Sequence, residues 1–200
     1  MALQERYNPQ TIILYGSRAR GDHTPSSDID VVCFVEGATP IGDARDFEGF
    51  YLDAWVYSSD AMLASTDEFL RFADGYCLYD SAGKGEAFLK ELQQRIEQGP
   101  KPLSASEIQH TKQWVYKMLE RSKSLEVESF YRLYWLAVDL LQIYFDLRGQ
   151  WYFGSKKGLA WLREHDAVGY QLFSQVYNHS MRFDDLEKLA DYVTNIYCCS

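Results

Sequence analysis

The chain reads as two successive domains of different class, an α/β domain over residues 1–100 and an all-α helical bundle over residues 104–200. Three observations carry this. Up to residue 98, short β-rich runs alternate with helical stretches. Gly99-Pro100-Lys101-Pro102-Leu103 then places two prolines and a glycine in five residues, a break where the pattern changes. Beyond it, apolar residues recur at helical spacing.

Thr11–Tyr15 (Thr-Ile-Ile-Leu-Tyr) is short, apolar and β-branched, as a buried strand requires. Ile29–Val35 and Phe50–Tyr57 read as a second and a third strand. Helical segments are expected near 17–20, 59–73 and 84–98. After the break, Ser104-Ala105-Ser106-Glu107 is a capping box, in which a hydroxyl and a carboxylate satisfy each other's orphan amides. It opens a helix with Ile108, Val115 and Leu119 on one face. The next helix sets Phe130, Leu133, Ala137, Leu140 or Leu141, and Tyr144 in an apolar stripe, and Gly149 after Arg148 supplies a left-handed stop. Further helices are expected near 156–165, 167–178 and 183–197.

Composition bounds the function. With 46% apolar residues and 15 Tyr, 11 Phe and 5 Trp, the 200-residue chain can bury a substantial core, which excludes disorder as a description of the whole. Its net charge of −9 repels polyanions, so neither nucleic acid nor an anionic membrane surface is expected as a partner. An acidic protein can still handle a nucleotide through a bridging metal. Cys33, Cys77, Cys198 and Cys199 lack the density of a disulfide scaffold and the spacing of a zinc site, and the adjacent Cys198 and Cys199 are expected as free thiols. No basic-then-apolar leader opens the sequence, and the stretch Tyr134 to Phe145 is interrupted by Asp139 and Gln142 and too short to span a bilayer. A cytoplasmic location is the expectation.

Chemistry concentrates in the first half. Gly16-Ser17-Arg18-Ala19-Arg20-Gly21 follows the first strand, and Ser27-Asp28-Ile29-Asp30 runs into the second. Side chains alternate along a strand, so Asp28 and Asp30 point to one face. Two carboxylates held together repel unless a cation lies between them, and oxygen ligands suit Mg²⁺. Asp53, flanked by Leu52 and Ala54, can join them if its strand is a neighbour. Three converging carboxylates can hold two metal ions about 3.5–4 Å apart, the arrangement used for in-line displacement at phosphorus. The Gly16-Ser17 turn offers backbone amides and a hydroxyl to phosphate. Arg18 and Arg20 add charge for a triphosphate, or one of them fixes the loop. The alternative is a solvated turn, but a carboxylate inside an apolar strand is costly unless it has a partner.

Gly16-Ser17, Arg20-Gly21, Ser27-Asp28-Ile29-Asp30 and the later Asp53 together resemble the nucleotidyltransferase superfamily that includes DNA polymerase β. The likeness is greatest to the small bacterial branch around the kanamycin and lincosamide nucleotidyltransferases and the minimal nucleotidyltransferases. It covers roughly residues 10–58, and Leu78-Tyr79-Asp80 through Gly83 resembles the strand and turn that close the family's catalytic domain. More weakly, Arg148-Gly149-Gln150-Trp151-Tyr152 and Ser155-Lys156-Lys157 look like the substrate-binding domain of the kanamycin enzymes.

The resemblance implies a mixed β-sheet with flanking helices, a helical substrate-binding domain, and an active site between the two. It implies transfer of a nucleoside monophosphate from ATP or another nucleoside triphosphate to an acceptor hydroxyl, with two Mg²⁺ ions. Asp28 and Asp30 would bind both metals and Asp53 the one nearer the acceptor oxygen. Gly16, Ser17, Arg18, Arg20 and Ser27 would serve the nucleotide. Lys156 or Lys157 would reach the triphosphate, or else mark a solvated helix start. Asp139 shares a helix face with Tyr131, Trp135, Gln142 and Asp146 and is a candidate general base, or pairs with a cation from a neighbouring helix. His23, His110, His165 and His179 show no metal-ligand spacing. The expected acceptor is a small molecule such as an aminoglycoside-like antibiotic, and a homodimer is one expected assembly. The alternatives are an antitoxin-type enzyme modifying a protein or tRNA, and a nucleotide-binding module without turnover.

Overall fold

The computed structural model describes residues 2–64, 66–124, 126–178 and 181–195. Cys198, Cys199, His179 and the last residues of the helix expected over 183–197 lie outside them. The chain divides into two compact units, Met1–Gln98 and Gly99–Ser200.

The first unit is a five-stranded mixed sheet with helices on both faces. Its strands are β1 (Thr11–Tyr15), β2 (Ile29–Val35), β3 (Ile41–Phe47), β4 (Phe50–Ser58) and β5 (Tyr76–Asp80), in the order β3-β4-β2-β1-β5. Only β2 and β4 run parallel, and the other neighbours are antiparallel. The period of two sorts the side chains. Ile12, Val31, Cys33, Leu52, Ala54 and Val56 pack on one face with Leu3 and Tyr7 of helix α1 (Ala2–Tyr7). On the other face Phe34 meets Phe69 of a 3₁₀ helix (Asp67–Phe72) and Phe88 of α4 (Gly85–Gln98), with ring centroids 6.3 and 5.3 Å away.

Three features depart from the sequence reading. The helix expected over 59–73 is broken into α3 (Ala61–Ala64) and the 3₁₀ helix, with Thr66 in extended backbone (φ −84°, ψ 157°) between them. Strand β3 (Ile-Gly-Asp-Ala-Arg-Asp-Phe) and helix α1 were not expected. β3 is a polar edge strand fixed by its pairing with β4, through a two-residue turn at Glu48 and Gly49 with φ of 50° and 85°. Two successive positive φ values match the twist of a tight hairpin. Asp43 is the strand's buried residue, 9% exposed, and takes a 2.8 Å hydrogen bond from the Tyr7 hydroxyl.

The second unit is helical: α5 (Ala105–Arg121), α6 (Val127–Leu147), α7 (Ser155–His165), α8 (Ala167–Val176) and α9 (Phe183–Thr194). The capping box forms, with Ser104 N–H donating to Glu107 Oε2 at 2.7 Å and Glu107 N–H to Ser104 Oγ at 3.3 Å. Val115, Leu119, Leu136, Leu140, Phe173, Leu186 and Val193 form the core. Phe130, expected in the apolar stripe, is instead 46% exposed. The inward row of α6 begins at Ser129 and runs through Leu133, Leu136 and Leu140, which turns Phe130 outward. Among the described residues, no helix is long and apolar enough to cross a membrane.

Candidate active site

The carboxylates of the first unit meet through strand register. Parallel pairing sets Asp30 of β2 opposite Asp53 of β4, so the two side chains project to the same face of the sheet. Asp28 precedes β2 by one residue and is exposed, whereas Asp30 and Asp53 are half-buried. Burial pushes the Asp30 carboxyl above the usual carboxylate range; the charges of Asp53 and Asp28 push it further, Arg20 opposes, and Asp74 adds to the rise. Burial and three like charges thus disfavour the ionised form of Asp30.

Gly16 explains how Asp30 reaches its position. It begins the short helix α2 (Gly16–Arg20) with φ of 74°, and a Cβ there would lie 2.2 Å from Asp30 Oδ2. The absent side chain makes room for a carboxylate of the neighbouring strand, a reason the sequence reading did not contain. Tyr15, the residue before it, pairs with Asp30 across the ladder. Its buried hydroxyl is driven well above the usual range by burial, against the opposing charge of Arg71, while Asp30 and Asp53 add to the rise.

The two arginines divide the alternatives left open by the sequence. Arg18 fixes the loop: Nη2 donates to Ser27 O at 2.7 Å, and Nε is 3.1 Å from both Ser27 O and Asp28 O. Its guanidinium also lies 4.5 Å from the centre of the Phe50 ring at the start of β4. The Ser27 hydroxyl accepts from Thr24 N–H at 2.9 Å and closes the turn that leads to Asp28. Arg18 and Ser27, expected at the nucleotide, are thus engaged in shaping the loop. Arg20 ion-pairs with Asp74 at 2.7 Å and Asp22 at 3.2 Å.

Sequence reasoning missed Asp74, Arg71 and Trp55. Asp74-Gly75 is a turn signal, and Gly75 is needed there because a Cβ would meet Leu14 O at 2.5 Å. Arg71 lies in the segment read as one helix, where nothing in the local pattern aimed it at the sheet. Trp55 follows Asp53 by two residues and so shares its face.

The remaining candidates belong to the second unit. Asp139 lies on α6, half-buried, and burial raises its carboxyl while a hydrogen bond with Trp135 lowers it. Lys156 and Lys157 lie in the first turn of α7, with the Lys157 ammonium 5.3 Å from the centre of the Phe153 ring.

Among the described residues, no group of three or more His, Cys, Asp or Glu is gathered as a metal site. Asp28, Asp30 and Asp53 are neighbours in charge without forming a closed cage. The donor set nevertheless suits a hard divalent cation, since all three offer oxygen and the Asp30 charge is disfavoured without one.

A family model described as a nucleotidyltransferase domain matches residues 1–99. Among solved structures, the chain is similar to a nucleotidyltransferase-like protein from Exiguobacterium sibiricum 255-15, with 9% sequence identity and a TM-score of 0.46, over 96% of this chain and 70% of that one. No curated protein matches the chain.

Proposed function

This chain belongs to the nucleotidyltransferase superfamily, and we propose that it transfers AMP from ATP to a hydroxyl group of a small-molecule acceptor. The observation that carries the reading is the Asp30–Asp53 register beside Gly16, which puts like charges on one face next to a turn suited to phosphate. Asp28, Asp30 and Asp53 would hold Mg²⁺, two ions when fully loaded. Bound there, the metal lowers the pKa of the acceptor hydroxyl and shields the phosphate charge.

The chain's own groups have separable tasks. Gly16 and Ser17 receive the β- and γ-phosphates. Arg20 sets a positive charge beside Asp30, already oriented by Asp74 and Asp22. Arg18 and Ser27 act through the loop, holding the backbone that carries Asp28. A small acceptor is favoured over a polynucleotide by the net charge of −9. The resemblance to the kanamycin enzymes suggests an aminoglycoside-like compound as one such acceptor.

Calorimetric titration of ATP, GTP, CTP and UTP, with and without Mg²⁺, tests this against Asp28→Asn and Asp30→Asn. ATP is expected to bind tightest, only with Mg²⁺, and not to either variant. Wild-type Mg²⁺ dependence in both variants would overturn the site assignment. Pyrophosphate release on adding hydroxyl compounds then identifies the acceptor.

A further inference from the structure

In-line displacement puts the leaving pyrophosphate and the attacking hydroxyl on opposite sides of the phosphorus. The Gly16-Ser17 turn follows β1, and the carboxylates stand on β2 and β4, the next two strands toward the β3 edge. With phosphates at the turn, the acceptor comes to lie over β4 and β3. Gly42 and Ala44 of β3 pair with Trp55 and Asp53, so directly across from them β3 presents only a hydrogen and a methyl group. Trp55 is half-buried and stacked on Tyr57 with centroids 6.2 Å apart, and its ring passes within 3.8 Å of where a Gly42 Cβ would be.

Arg71 stands next to this ring. Its guanidinium is 5.5 Å from the Trp55 centroid and 4.9 Å from that of Phe72, and Nη2 donates to the Tyr57 hydroxyl at 2.9 Å. That hydroxyl in turn donates to Glu68 Oε1 at 3.0 Å. Among the described residues, no carboxylate comes within 4.0 Å of the guanidinium; Glu68 meets it only through the shared hydroxyl. Arg71 therefore retains donors for an anion, beside a flat ring that follows Asp53 by two residues on the same face of the strand.

We propose that Trp55 and Arg71 form the acceptor subsite, and that the acceptor is an anionic hydroxyl compound whose hydroxyl meets the carboxylates at Asp53 while its phosphate or carboxylate meets Arg71. The carbon frame lies on the Trp55 ring and the anion meets the Arg71 fork. This rests on the nucleotidyl-transfer reading and narrows it, since Arg71 disfavours a polycationic aminoglycoside at the same place.

The test follows the Trp55 indole N–H by ¹H–¹⁵N NMR of the full chain, assigned with Trp55→Phe. The probes are glycerol 3-phosphate, glycerate and glycerol, which share one frame, and an aminoglycoside, all at constant ionic strength. One or both anions should shift the resonance saturably, and the stronger of them names phosphate or carboxylate. Glycerol and the aminoglycoside should not shift it. Arg71→Gln should weaken the anion by about tenfold or more, as for loss of a charge-assisted hydrogen bond, and Arg71→Lys by less. No saturable shift with either anion, an equal shift with glycerol, or unchanged affinity in a folded Arg71→Gln would each overturn the subsite. ATP binding in the same samples separates the two failures: if ATP binds with Mg²⁺ and the anions do not register, only the subsite is wrong.

Discussion

Replacing Gly16 by alanine would place a methyl carbon 2.2 Å from Asp30 Oδ2 and 2.9 Å from its Cγ, whereas real Cβ atoms keep at least 3.0 Å. The carboxylate must retreat, and the new residue must also keep φ of 74°. The left-handed backbone costs about 1–2 kcal/mol for a residue with a Cβ, and an off-rotamer Asp30 about 0.5–1.5 kcal/mol more, giving roughly 1.5–3.5 kcal/mol. Gly21→Ala is the matched control. Its φ is 80°, with nothing within 4 Å of the added carbon, so only the backbone strain of about 1–2 kcal/mol applies. Urea unfolding should show both losses. Mg²⁺-dependent ATP binding, measured by calorimetry, should fall by about tenfold or more only in Gly16→Ala, through displacement of Asp30. Equal losses in both assays for the two variants would refute the argument that Gly16 exists to admit the Asp30 carboxylate.

Asp30→Asn should raise the thermal midpoint of the metal-free protein at pH 7 while abolishing Mg²⁺-dependent ATP binding; a lower midpoint would contradict the charge reading. The sign follows from linkage: the folded Asp30 carboxyl is raised, so its stabilising contribution is complete below the unfolded pKa and lost as pH rises through the folded one. Arg18→Ala should speed amide exchange across residues 22–28 and weaken ATP binding, with Arg18→Lys failing to rescue because an ammonium cannot reproduce the fork to Ser27 O and Asp28 O. In the second unit, Asp166 accepts from the Tyr144 and Tyr192 hydroxyls at 2.7 Å and from Gly169 N–H at 2.9 Å, so Asp166→Ala should cost about 2–4 kcal/mol in urea unfolding. Burial pushes the Asp166 carboxyl up, but those hydrogen bonds and Arg148 outweigh it and hold it low. Its stabilisation is present above the unfolded carboxylate pKa, near 4, and should fade as pH drops through the lower folded value; acid titration of wild type against Asp166→Asn checks this.

Much of the fold was legible because its signals are local. Thr11–Tyr15 and Ile29–Val35 are strands by their apolar, β-branched runs, and Ser104 with Glu107 announces its helix by two groups one turn apart. β3 left no such trace, since an edge strand with one buried residue needs no apolar pattern. Phe130 misled because residues 129 and 130 both fit a three-to-four spacing, and only packing of α6 on its neighbours selects the row through Ser129.

The site divides in the same way. By itself the sequence determined that Asp28 and Asp30 stand two residues apart at the start of the second strand, that a glycine-serine turn follows the first strand, and that Asp53 lies inside an apolar run. Those facts depend on neighbours in the chain and on the two-residue period of a strand. The tertiary structure decided that Asp30 stands opposite Asp53, that Gly16 yields its space to Asp30, that Arg18 serves the loop, and that Arg71 comes to rest against Trp55. Each depends on which strands become neighbours and in what register, a choice made by burial of both sheet faces together.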